Sequence, residues 1–213
     1  MPGWAELRDD LRRISRETPE ALVSYPDPRE ERPGEDRFAI GLVAWATDIA
    51  TVLHEKYGAA VELAVGAMSF PDQQFFAGRL LELPETQAAS VGLSVEPVSP
   101  LSVRTGRFTM AQVRVVNDSS TQQVLGTNRQ LQSAVVDEAG AVVGRFTGAQ
   151  NLIFQAYPVP ADGSTEVPVL IGTDSLAPRL GYAVPPGQWR LVVLMDVDRV
   201  EAVSAPLPLT VTP

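Results

Sequence analysis

The chain has 213 residues, 45% hydrophobic and 20% charged, with a formal net charge of −9 from 17 basic and 26 acidic side chains. That length can bury a core without covalent staples, and the absence of cysteine excludes disulfides, thiolate metal sites and thiol nucleophiles. No basic cluster occurs, which argues against nucleic acid and against an anionic membrane surface, and no run approaches the roughly 18 apolar residues of a membrane span.

The first residues show no basic flank followed by an apolar core, so the expected location is cytoplasmic. All but one of the basic residues are arginine, which reads as coding bias rather than chemistry. Trp4, Leu7, Leu11 and Ile14 recur at spacings of three, four and three, an apolar stripe on a short helix ending near Thr18-Pro19. The stripe packs either on the protein's own core or on a partner. Residues 24–36 carry three prolines, a glycine and several charges and read as an exposed loop. Asp36 then caps an expected helix over 37–57, with Leu42, Trp45, Ile49, Val52 and Leu53 as its apolar face and Gly58 as its stop. Residues 60–70 change to strand character and end at Pro71. Residues 1–72 therefore form an α+β segment of helix, loop, helix and strand.

A connecting segment, 73–89, carries Phe75, Phe76, Leu80, Leu81 and Leu83 where a linker would be polar. Those side chains must be buried, either against the following domain or as a docking patch for another chain. From residue 90 to the end, short strands are expected at 91–95, 108–116, 131–136, 141–146, 151–157, 166–171, 189–195 and 207–211. Turn chemistry separates them, most clearly Asp137-Glu-Ala-Gly140. So many strands without helical periodicity point to an antiparallel sandwich over 90–213.

Tyr182, Pro186-Gly187-Gln-Trp189-Arg-Leu191 and the terminal Leu207–Val211 run resemble the last strands of bacterial immunoglobulin-like domains. The resemblance covers roughly residues 90–213 and implies an immunoglobulin-like sandwich. The chain as a whole also resembles bacterial proteins with this helix-and-strand-then-sandwich layout. Neither resemblance implies an activity.

Candidate chemistry is sparse. His54 is the sole histidine; a zinc-protease helix would need a second one at position 58, which is Gly58, and no Gly-x-Ser-x-Gly elbow exists. Asp196, Asp198 and Glu201 form the best acidic cluster, a candidate calcium site if alternate residues at a strand end point the same way. No cofactor is expected. The expected function is a non-catalytic interaction or scaffolding protein, one form of which is an intracellular protease inhibitor and another an assembly subunit. Its partner is a protein, contacted through Trp4, Leu7, Leu11, Phe75 and Phe76. The alternative is a carboxylate-based enzyme with its site in the cleft between the two halves. Convergent acids in a concave pocket would favour that alternative.

Overall fold

A computed structural model describes residues 4–26, 37–75, 81–148 and 153–213. The first helix, α1 (Trp4–Glu17), turns its stripe inward: Leu7 is 1% exposed and Leu11 0%. After it come β1 (Leu22–Ser24), β2 (Phe38–Leu42), α2 (Thr47–Tyr57), β3 (Val61–Val65) and β4 (Met68–Phe70). They form a sheet in the order β1-β2-β3-β4, with β2 and β3 parallel and the outer pairs antiparallel. A parallel pair needs a crossover, and α2 supplies it.

The helix expected over 37–57 is thus a strand followed by a shorter helix. Phe38, Ile40 and Leu42 are buried while Ala39 and Gly41 are not, a period of two that the parallel partner β3 satisfies. The strand expected over 60–70 is in fact the β3–β4 hairpin. Gly58 does end α2, with a positive φ of 53° and its N–H donating to the His54 carbonyl.

Leu7, Leu11, Phe38, Ile40, Leu42, Leu53, Leu63 and Val65 share one core. Trp4 completes it by stacking on Phe38, with ring centroids 4.7 Å apart. Asp10 clips the two helices together, accepting hydrogen bonds from Lys56 Nζ and the Tyr57 hydroxyl at 2.7 Å each. Burial alone would raise the Asp10 pKa. Those two hydrogen bonds, with the Lys56 and Arg13 charges, outweigh it and hold the carboxyl below its ordinary value.

The rest of the chain is built from strands β5 (Thr86–Gln87), β6 (Leu93–Pro97), β7 (Leu101–Arg104), β8 (Phe108–Asn117), β9 (Gln123–Thr127) and β10 (Gln132–Val136). It continues with β11 (Val142–Arg145), β12 (Gln155–Val159), β13 (Gly163–Gly172), β14 (Asp174–Ser175), β15 (Gly187–Val197), β16 (Val200–Val203) and β17 (Leu207–Thr212). The larger sheet is arranged around β15. One edge of β15 pairs with β10 and then β9, the other with β17 and then β16. The strands β6, β8 and β13 form a second sheet, β8 at its centre. Mostly β, with two α-helices among the described residues, the molecule is sandwich-like in its C-terminal part.

Strand alternation decides which face each β15 residue serves. Leu191, Val193, Met195 and Val197 enter the core between the two sheets, against Val113, Val115, Val167 and Val169. Val192 packs on the reverse face with Ala134, Val136, Val142 and Val203, and Leu194 lies against them. That reverse face is covered by Ala67 from the β3–β4 turn and by Phe75 and Leu83 from the connecting segment. Phe75 and Leu83 thus lie where burial in the chain's own fold was expected, whereas Leu81, expected to be buried, is 43% exposed; Phe76 and Leu80 lie outside the described residues.

Two further contacts join the halves. Tyr182, read from the sequence as part of a sandwich corner, packs on Phe70 and donates from its hydroxyl to the Pro71 carbonyl at 3.2 Å. The Arg107 guanidinium lies 3.8 Å from the centre of the Trp45 ring, close enough for a cation–π attraction.

Candidate binding groove

The reverse face of the larger sheet is not covered along its whole length. Beyond Leu194 it opens into a groove of about 790 Å³, within the range of ordinary ligand sites. One wall is Glu82, Leu83 and Pro84 of the connecting segment; the other holds Asn128, Gln130 and Phe154. Register builds the floor. Asp196 of β15 stands opposite Glu201 of β16 on one side and Gly126 of β9 on the other, so the two carboxylates share a rung of the sheet. Facing side chains at such a rung are close neighbours.

Gly126 makes the aromatic wall possible. A Cβ there would lie 3.3 Å from the Phe154 ring and 3.4 Å from an Asp196 carboxylate oxygen. The bare backbone lets ring and acid approach the same point above the strand. Phe154 is 72% exposed and its neighbour Ile153 49%. Exposed apolar residues are ordinary on a surface; of the two, Phe154 lines the groove. Residues 128–130 interrupt the line of β9 and β10 along β15, with Arg129 at a positive φ of 71° and its carbonyl accepting from the Tyr157 hydroxyl at 2.7 Å. Arg145, from β11, adds one half-buried guanidinium to the lining, and burial pulls its pKa below the usual value.

The three acids of the expected calcium site do not converge. After Val197 the chain reverses through Asp198 and Arg199, at positive φ of 50° and 72°. The Val197–Val200 rung therefore separates Asp198 from the Asp196–Glu201 rung. Among the described residues no group of three or more metal-ligating side chains gathers. The expected partner stripe is also corrected, since Leu7 and Leu11 are already buried and have no surface left for another chain. His54 lies edge-on to Phe70 at 5.9 Å.

A second, smaller crevice of about 360 Å³ opens between β7 and β8, beside Arg104, Arg107 and Phe108. Both arginines have partners: Arg104 Nε donates to the Pro213 carbonyl at 3.1 Å, and Arg107 lies over Trp45. Neither cavity takes a residue from positions 1–72. The Asp196–Glu201 pair thus lies beside the connecting segment rather than between the halves. Asn128, Gln130, Arg145 and Phe154 were not singled out from the sequence. Only Phe154 carried a signal, as an aromatic inside an apolar run read as strand.

No protein-family model matches the chain, and no curated protein matches it in sequence. Similar solved structures include the sporulation control protein Spo0M of Bacillus subtilis, at 9% identity over 57% of this chain and TM-score 0.29. A PapD-like domain of human CEP192 aligns at 13% identity over 65% of this chain and 96% of its own length, TM-score 0.27. The CooA pilin subunit of enterotoxigenic Escherichia coli aligns at 12% identity over 57% of this chain and 99% of its own, TM-score 0.22. The match spans 50% of the length of Spo0M. At TM-scores below 0.5 these likenesses carry no argument about what this chain does. No helix of the described residues is long and apolar enough to cross a membrane.

Proposed function

We propose that the chain is a non-catalytic polypeptide-binding module, in which an immunoglobulin-like sandwich presents the reverse-face groove to a segment of a partner protein. The observation that carries this reading is the groove itself, open on the reverse face of the larger sheet, with Phe154 exposed at its rim. An extended segment is the occupant that suits a groove beside a sheet with amide side chains at Asn128 and Gln130 and an aromatic ring, Phe154, in its lining. A protease inhibitor and an assembly subunit would both use the groove in this way.

The test is affinity capture from lysate of the protein's own organism, comparing the wild type with Gln130→Trp, a bulky residue placed in the groove-lining loop. The wild type is expected to retain a stoichiometric polypeptide that the variant loses at an unchanged melting temperature. Equal capture by both, or none by the wild type, contradicts the reading. A carboxylate-based hydrolase is the second reading, favoured by Asp196 and Glu201 sharing a rung inside a concavity. A hydrolytic activity abolished by Asp196→Asn would establish it in place of binding.

A further inference from the structure

We infer that the groove selects its partner by a lysine or arginine side chain, lodged between the Phe154 ring and the Asp196–Glu201 carboxylate pair. The inference rests on the polypeptide-binding reading and specifies the chemistry of the bound segment. Three observations converge on it. The first is charge: among the described residues, Glu82, Asp196 and Glu201 line the groove with one cation, Arg145, in a chain whose net charge is −9. Such a field draws basic segments toward the opening and repels acidic ones.

The second is the ring. Phe154 lies over Gly126 with its edge and the Asp196 carboxylate flanking the same point, yet most of its surface remains open to solvent. A cation on an aromatic face is attracted by the ring quadrupole, and an adjacent carboxylate adds a charge-assisted hydrogen bond. A neutral aliphatic side chain would gain only the first surface. The third is the arrangement of the acids. Placing Asp196 and Glu201 on one rung sets like charges side by side, which is unfavourable until a cation sits between them. A guanidinium or ammonium removes that repulsion, so the unoccupied pair favours a basic occupant.

The experiment is selection of a random heptapeptide library, displayed on phage, against the immobilised wild-type protein. Parallel selections use Asp196→Asn with Glu201→Gln, Phe154→Ala, and Glu138→Gln as a charge control in the distant β10–β11 turn. All four positions are exposed, so folding is not at stake, and circular dichroism verifies it. Peptides enriched on the wild type should carry Lys or Arg at one recurrent position. The synthetic arginine peptide should bind about fivefold more tightly than its citrulline counterpart. The double carboxamide variant should erase that preference, Phe154→Ala should weaken binding about two- to fivefold, and Glu138→Gln should match the wild type. Enriched peptides without a recurrent basic residue, or a preference that survives in the double variant, overturn the inference while leaving polypeptide binding standing. No enrichment on the wild type overturns both.

Discussion

Gly106 packs against Trp45 across the seam between the two halves, and replacing it with alanine measures how firmly they are joined. Its φ is +67°, and a Cβ there would sit 2.9 Å from Trp45 Cβ, 3.1 Å from Trp45 N and 3.2 Å from Trp45 Cα. Two of those three atoms are backbone, so no rotamer change relieves the clash. A left-handed residue costs an alanine roughly 1–2 kcal/mol, and forcing a methyl into packed surroundings adds about 1–3 kcal/mol. Gly140 supplies the control. Its φ is +84°, but nothing lies within 4 Å of its notional Cβ, so Gly140→Ala carries the backbone cost alone. Gly106→Ala should therefore lose about 2–5 kcal/mol and Gly140→Ala about 1–2 kcal/mol. The assay is equilibrium urea denaturation followed by tryptophan fluorescence. Trp4 reports on the N-terminal core, Trp45 on the seam and Trp189 on the sandwich. Equal losses in the two variants would refute the close approach at Trp45.

Asp10→Ala removes the clip between α1 and α2 and should cost about 1 kcal/mol, a figure already discounted for solvent screening. Because the folded-state pKa is lowered from 3.8, the stabilisation is present above that value and lost as pH falls through the lowered one. The variant's deficit in thermal melts should shrink in strong acid, and a deficit independent of pH would contradict the account.

Asp174 behaves oppositely. Burial raises its pKa, partly offset by the hydrogen bonds its Oδ2 accepts from the Thr147 hydroxyl and backbone N–H. A raised acid favours the fold below 3.8 and disfavours it as pH rises through the folded value. Asp174→Asn retains an acceptor for Thr147 without the charge. It should be more stable than the wild type at neutral pH, by a margin that narrows on acidification; a constant margin would contradict this. Phe75→Asp places a charge against the reverse-face cluster of Ala134, Val136 and Val192 and should cost about 2–4 kcal/mol. An unaltered melt would move Phe75 from the fold to an interface.

What could be read from the sequence was what local periodicity decides. The stripe Trp4, Leu7, Leu11, Ile14 gave α1, and the Asp137–Gly140 turn joins β10 to β11 as its chemistry required. The longer strands β8, β13 and β15 announced themselves by apolar content. Where two periods overlapped, the reading failed. Leu42 belongs both to the alternating Phe38-Ile40-Leu42 set and to the helical Leu42-Trp45-Ile49 set, and only pairing with the distant β3 selects the strand.

Strand β9 was illegible because its ends are polar. Gln123 and Thr127 are nonetheless buried, since Gln123 Nε2 donates to the Val91 carbonyl at 2.7 Å and Thr127 Oγ1 to the Gln155 carbonyl at 3.2 Å. Strand β16 depends on a two-residue reversal at Asp198-Arg199 that contains neither glycine nor proline. The groove inherits both blind spots. Its floor is a rung shared by β9, β15 and β16, and its wall is the gap between β9 and β10, so no contiguous stretch of sequence could display it.

The most direct measurement of the central claim is site-specific photo-cross-linking in cells of the protein's own organism. A benzophenone side chain would replace Asn128 inside the groove and, in a second strain, Glu138 in the β10–β11 turn. A discrete polypeptide adduct from position 128, absent from position 138, is the predicted result. Adducts of equal pattern from both positions, or none containing polypeptide from position 128, would contradict the groove as the binding surface.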